Sequence, residues 1–198
     1  MQTHFVRPKR IANIIMILSA IALFSGCFWQ KPKYIIPLQD NADEQFYYAT
    51  RQHRKFTAAP GKQKLNPRAE GEPSMTERQQ RLGDIALAAY RKVIEEFPDE
   101  TLHVNRAYLG IARVKDEMAN NKQALEIYRD LIEQVPNDDV VQVHSLFYAA
   151  RILDQQKKYE QADEYYRRLI DRYQNTENPQ FAKLVMMAAQ EYEKVGRR

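Results

Sequence analysis

Ala86-Leu-Ala-Ala-Tyr90-Arg91-Lys-Val93-Ile94-Glu-Glu-Phe97-Pro98 is a segment that the chain writes three times. It returns as Ala124-Leu-Glu-Ile-Tyr128-Arg129-Asp-Leu131-Ile132-Glu-Gln-Val135-Pro136, and again as Ala162-Asp-Glu-Tyr-Tyr166-Arg167-Arg-Leu169-Ile170-Asp-Arg-Tyr173-Gln174. The copies begin at positions 86, 124 and 162, so the step from the first to the second equals the step from the second to the third, and no gap is needed. A fixed period of this size is the signature of stacked helical pairs, each too small to bury its apolar face alone.

Within each copy the apolar residues follow the turn of a helix. Ala124, Ile127, Tyr128, Leu131, Ile132 and Val135 lie on one stripe, and Glu126, Arg129, Asp130 and Glu133 lie opposite. Pro98 and Pro136 stop the first two copies, and Gln174-Asn175 followed by Asn178-Pro179 ends the third by turn chemistry. A partner helix lies between copies: Tyr108, Leu109, Ile111, Ala112 and Val114 recur as Leu146, Phe147, Ala149, Ala150 and Ile152, then as Leu184, Val185, Met187 and Ala188. The recurring Ala112, Ala150 and Ala188 let neighbouring helices approach closely.

This pattern resembles the tetratricopeptide repeat, whose signature positions fall on Tyr108, Ile111, Ala112, Ala124, Tyr128, Leu131 and Pro136 in one unit. In the next they fall on Leu146, Ala149, Ala150, Ala162, Tyr166 and Leu169. The family unit is normally about 34 residues, and the added turn sits near Asn137-Asp-Asp-Val-Val, which keeps the faces in phase. The expected fold is all-α, a short helical-hairpin solenoid. It has a leading helix near Thr76–Phe97, units at about 105–138 and 143–176, and a terminal helix at 179–195 that caps the array with a polar end. Within the units, helices are expected over Thr101–Met118, Lys122–Val135, Val140–Gln156 and Tyr159–Tyr173. Thr76 is a candidate N-cap, and Gly83 leaves open whether the leading helix is continuous.

The N-terminus has a different grammar. Arg7, Lys9 and Arg10 precede an apolar run from Ile11 to Phe24, the size of a signal-peptide core and short for a membrane span. The run ends in Leu23-Phe24-Ser25-Gly26-Cys27, which resembles a bacterial lipobox. That resemblance implies a signal peptide at 1–26, acylation of Cys27 and anchoring in membrane lipid. Phe28, where sorting to the inner membrane looks for Asp, implies the outer membrane with the repeats facing the periplasm. Cys27 is the only cysteine, which excludes disulfides and thiolate metal sites. The alternative is an uncleaved anchor running on through Trp29. Residues 27–75 read as a lipidated, partly disordered tether: Pro32, Pro37, Pro60-Gly61, Pro67, Gly71 and Pro73 break regular structure, with a partial helical stripe over Ala42–Phe56.

The net charge of +4 does not make this a nucleic-acid binder. Residues 83–198 hold 17 basic and 20 acidic side chains, so the excess of positive charge lies outside the repeats. No catalytic constellation exists. The four histidines are scattered without a ligand partner at helical spacing, no phosphate loop is present, and the expectation is a non-enzyme without cofactor or metal.

In the tetratricopeptide family the first helix of each pair lines a concave surface. Carrying those positions over gives Arg106, Leu109, Gly110 and Arg113, then His144, Phe147, Tyr148 and Arg151, then Val185, Met186, Ala189 and Tyr192. The implied groove takes a protein or peptide whose acids meet Arg113 and Arg151. The competing reading pairs these arginines with Asp116 and Asp154, one helical turn on. An Arg stands where chaperone-binding relatives carry the Asn of a carboxylate clamp, which excludes that mode. The resulting reading is a membrane-anchored adaptor in the bacterial envelope. It resembles, with fewer repeats, the tetratricopeptide lipoprotein of the outer-membrane β-barrel assembly machine, and comparably a type IV pilus assembly lipoprotein. The other readings are a regulator of a periplasmic or peptidoglycan enzyme and a self-assembling structural lipoprotein.

Overall fold

The computed structural model describes residues 34–59 and 75–195. Residues 36–195 carry seven helices among the described residues: α1 (Ala42–Thr57), α2 (Glu77–Glu96), α3 (Thr101–Glu117), α4 (Asn121–Gln134), α5 (Asp139–Gln155), α6 (Tyr159–Tyr173) and α7 (Pro179–Val195). The expected signal segment, Cys27 and residues 60–74 lie outside the described residues.

Local chemistry starts the helices where side chains can satisfy free amides. The Asn41 side chain accepts from the Glu44 amide at 2.9 Å, and Arg54 and Lys55 in the last turn of α1 complement its dipole. Thr76 and Gln79 form a reciprocal capping box at the start of α2. Asp138 accepts from the Val140 and Val141 amides at α5. At the other ends, α3 and α5 close alike. Ala119 and Lys157, at the same point of successive repeats, both have φ of 60°, and the following amides of Asn120 and Lys158 reach back to the carbonyls of Lys115 and Leu153. This is the left-handed helix stop that normally takes glycine. Gly83 does not interrupt α2, which runs unbroken past it.

Each helix packs against the next in the chain. In addition the backbones of α1 and α3, α3 and α5, and α5 and α7 lie side by side, whereas α4 and α6 meet through a side chain, Arg129 Nη2 donating to Gln161 Oε1 at 3.2 Å. The odd-numbered helices therefore form an inner row and the even-numbered helices an outer one. One core gathers Tyr128, Leu131, Leu146, Ile152, Tyr166 and Leu169 from α4 to α6. A second gathers Ala49 and Phe56 of α1, Ala86, Tyr90 and Val93 of α2, and Ile111 and Val114 of α3. The buried Gln142 of α5 donates from Nε2 to the last carbonyls of α4, those of Ile132 and Val135 at 3.0 Å each.

Within the segment 27–75, the partial helical stripe is a helix that packs on the repeats. Residues 42–57 form a helix whose Ala49 and Phe56 are fully buried against α2, and α1 contacts α3 as every other inner helix contacts its successor. The leading helix is thus the second member of a hairpin, and the described residues hold three hairpins followed by α7. The first hairpin escapes the sequence period because the long connection 58–76 separates its helices, where the short turns 118–120 and 156–158 serve the others.

Candidate protein-docking face

The inner row presents α1, α3, α5 and α7 side by side, and the centre of its surface is Tyr148 on α5. Its ring stacks on Tyr128 of α4 at 5.8 Å and 19°, and on His144 one turn earlier at 6.0 Å and 10°. Arg151 lies over the same ring at 4.8 Å and Arg113 of α3 at 5.6 Å, so two guanidiniums and an imidazole surround one phenol. Arg151 also bridges to Asp116 of α3 through its Nη2. Burial lowers the Arg113 pKa, but its neighbours Tyr148, Tyr128 and Glu117 outweigh it, and the net shift is upward. His144 is pushed down to about 4, first by burial and then by Arg113, so it is a neutral ring at pH 7.

The structure therefore unites four of the expected groove residues, Arg113, His144, Tyr148 and Arg151, at the surface. Leu109 and Phe147, expected to meet a partner, are 6% and 4% exposed and belong to the core; Phe147 packs edge-on against Tyr148 and Tyr166. Arg106 points along the row to Asp138 at 3.3 Å. Gly110 lies beneath the Tyr90 ring, where an added Cβ would come within 2.4 Å of Cζ. Val185 is buried, Ala189 is half-buried, and Met186 and Tyr192 are exposed. Arg151 pairs with Asp116 of the preceding inner helix, a bridge between repeats that neither the groove reading nor the competing same-helix reading contained.

Sequence reasoning missed the groups that α1 contributes. His53 Nδ1 and the Tyr90 hydroxyl are 3.3 Å apart, and His53 Nε2 is 3.3 Å from Glu117 of α3. At the other end of α1, Asp43 pairs with His103 Nε2 at 2.8 Å. Burial, ahead of the neighbouring charges, pushes the Tyr90 phenol up to about 12. The available signal was Tyr90 itself, which recurs as Tyr128 and Tyr166 and so had to face some inner helix.

No helix among the described residues is long and apolar enough to cross a membrane. No group of His, Cys, Asp and Glu among them is arranged to hold a metal. The tetratricopeptide repeat family model matches residues 106–138 and 144–176, the units α3–α4 and α5–α6. The tetratricopeptide repeat generally mediates contacts between proteins, which supports an adaptor role for a chain with two units similar to it. No curated protein matches the chain.

Proposed function

We propose that the chain is a lipid-anchored, non-enzymatic adaptor of a bacterial cell envelope that holds a protein partner against its inner row of helices. The observation that carries the docking face is the Tyr148 cluster. A half-buried ring is flanked by a guanidinium that is still 39% exposed, a planar apolar and cationic platform of the kind that dominates protein interfaces. The anchoring half of the reading rests on Cys27 and the signal-like run before it, and the outer-membrane location on Phe28. The likeness to the tetratricopeptide lipoprotein of the outer-membrane β-barrel assembly machine supports an assembly role.

Two variants test the two halves separately. Cys27→Ser should abolish incorporation of labelled palmitate and release the protein from membranes; continued membrane retention would mean an uncleaved anchor. Arg113→Ala with Arg151→Ala should leave anchoring intact and reduce crosslinking to the partner in envelopes; undiminished crosslinking would remove the Tyr148 cluster from the interface. A self-assembling reading is favoured by one observation, the exposed Met186, Met187 and Tyr192 on α7, the one inner-row helix with no described outer helix after it. It predicts a mass in detergent that rises with protein concentration.

A further inference from the structure

Aligned at their first residues, Ala42, Thr101 and Asp139, the inner helices α1, α3 and α5 carry arginine at the same place: Arg54, Arg113 and Arg151. The packing follows this alignment, because the buried Gln45, Ala49 and Phe56 of α1 fall on the buried Gln142, Leu146 and Leu153 of α5. The outer helices meet the same series. Arg54 and Arg113 are the cations that act on Tyr90, and Arg113 and Arg151 are those that act on Tyr128, its counterpart one repeat on. The inner row therefore carries one arginine per helix across α1, α3 and α5.

The carboxylates do not repeat in step with the arginines. Arg151 bridges back to Asp116 of the preceding inner helix. For Arg113 the corresponding place on α1 is Thr57, whose hydroxyl donates to the Arg54 carbonyl at 2.9 Å. The bridge that ties α5 to α3 therefore has no equivalent between α3 and α1. Among the described residues neither Arg54 nor Arg113 makes a salt bridge, whereas Arg106 and Arg151 both do. The acids nearby face other groups. Glu117, which acts on Arg113, lies 3.3 Å from His53 Nε2, and Asp43 at the far end of α1 pairs with His103 at 2.8 Å. Arg54 is exposed and Arg113 is half-buried, so both guanidiniums are open to the inner face.

We propose that the α1–α3 end of the inner face takes an aspartate or glutamate side chain of the protein partner, seated between Arg54 and Arg113 where Asp116 serves Arg151 one repeat later. A carboxylate is the complement because it accepts charge-assisted bonds from both planar guanidiniums at once. Arg113 also lies over the Tyr148 ring at 5.6 Å, so a partner residue beside the acid meets that aromatic surface. The inference rests on the docking reading above and sharpens it. The sequence places the partner's acids on Arg113 and Arg151, but Asp116 already matches Arg151 within the array. The receptive pair is Arg113 with Arg54, a residue of α1. It requires only the described helices and not the anchor.

The test uses full-length protein in detergent with labelled arginine side chains, titrated with N-acetylglutamate amide and with the uncharged N-acetylglutamine amide. The glutamate probe should shift the Nε–Hε signals of Arg54 and Arg113 and leave that of Arg151 unmoved. Glutamine should bind about tenfold more weakly or worse. Thr57→Asp should abolish the shifts by supplying the carboxylate internally, whereas Thr57→Asn should retain them. Because an acid in the last turn of a helix opposes its dipole and could loosen that turn, Arg54→Gln at an exposed site gives an independent loss of binding. Equal binding of glutamine, shifts confined to Arg151, or binding undiminished in Arg54→Gln would overturn the proposal. If the glutamate probe fails while envelope crosslinking persists, this inference alone falls; if crosslinking also disappears from wild type, the docking reading falls with it.

Discussion

The first hairpin and the two matched repeats are built to the same plan from different chemistry. In the repeats, an alanine on the inner helix and a tyrosine on the outer one recur at fixed spacing, the turns are short, and the inner helices are largely apolar where they face the outer row. In the first hairpin the connection runs from 58 to 76, and the buried positions of α1 include Gln45, Gln52 and His53 beside Ala49 and Phe56. The contrast shows that position in the stack, not apolar periodicity, makes a segment an inner helix. α1 is held by its contacts with α2 and α3, which a periodic pattern cannot encode.

That contrast can be broken most severely at Phe56. Phe56→Ala removes the largest fully buried apolar side chain of α1 and should cost about 3–5 kcal/mol by denaturant unfolding. Amide exchange should rise in α1 and α2 well before it rises in α5 and α6. Uniform acceleration across all helices would show instead that the hairpin is not a separable unit.

The two buried helical glycines sharpen the comparison with opposite signs. At Gly110 a new Cβ would strike the ring of Tyr90, which is buried and tied to His53, so Gly110→Ala should destabilise by about 1–3 kcal/mol. At Gly83 the nearest atom, at 2.7 Å, is the sulfur of Met118, a flexible side chain that can swing aside. Gly83→Ala should therefore be neutral or stabilise by up to about 1 kcal/mol through helix propensity. Thermal melts of both variants check the pair, and a shared sign would contradict the packing described at one of them.

A smaller effect belongs to the repeats alone. Ala119 and Lys157 hold the same left-handed conformation at the same point of the repeat. Ala119→Gly and Lys157→Gly should each stabilise by about 0.5–1 kcal/mol, because relief of the Cβ clash exceeds the added freedom of the unfolded chain. Thermal melts check these two as well. A further effect is a pH dependence. His144 is depressed to about 4, so the unfolded chain binds its proton more readily and stability falls as pH drops from about 6.5 toward 4. Wild type should lose more melting temperature between pH 7 and pH 5 than His144→Phe does, and equal losses would mean that His144 is not desolvated.

The repeats were legible because their determinants are local and periodic: the Ala124–Tyr128–Leu131 stripe, its Pro136 stop and the capping chemistry at Thr76 are all written in order along the chain. The inner-helix position of Arg113, His144, Tyr148 and Arg151 came from the resemblance to the tetratricopeptide repeat. What they do to one another did not. The bridge from Arg151 to Asp116 joins two different repeats, and sequence spacing offered Asp154 instead. Leu109 and Phe147 were legible as inner-helix residues but not as core, because neighbouring helices decide which side of that stripe stays open. α1 was visible only as a partial stripe, since its anchors are polar and its partner lies beyond a long connection.

The account turns on the inner row being the face that meets a protein. Photo-crosslinking in intact cells tests it directly, with p-benzoylphenylalanine at position 148 on α5 compared with position 126, an exposed site on α4 of the outer row. The account predicts a discrete protein adduct from position 148 and none from position 126. An adduct from 126 alone, or from neither position, would contradict it.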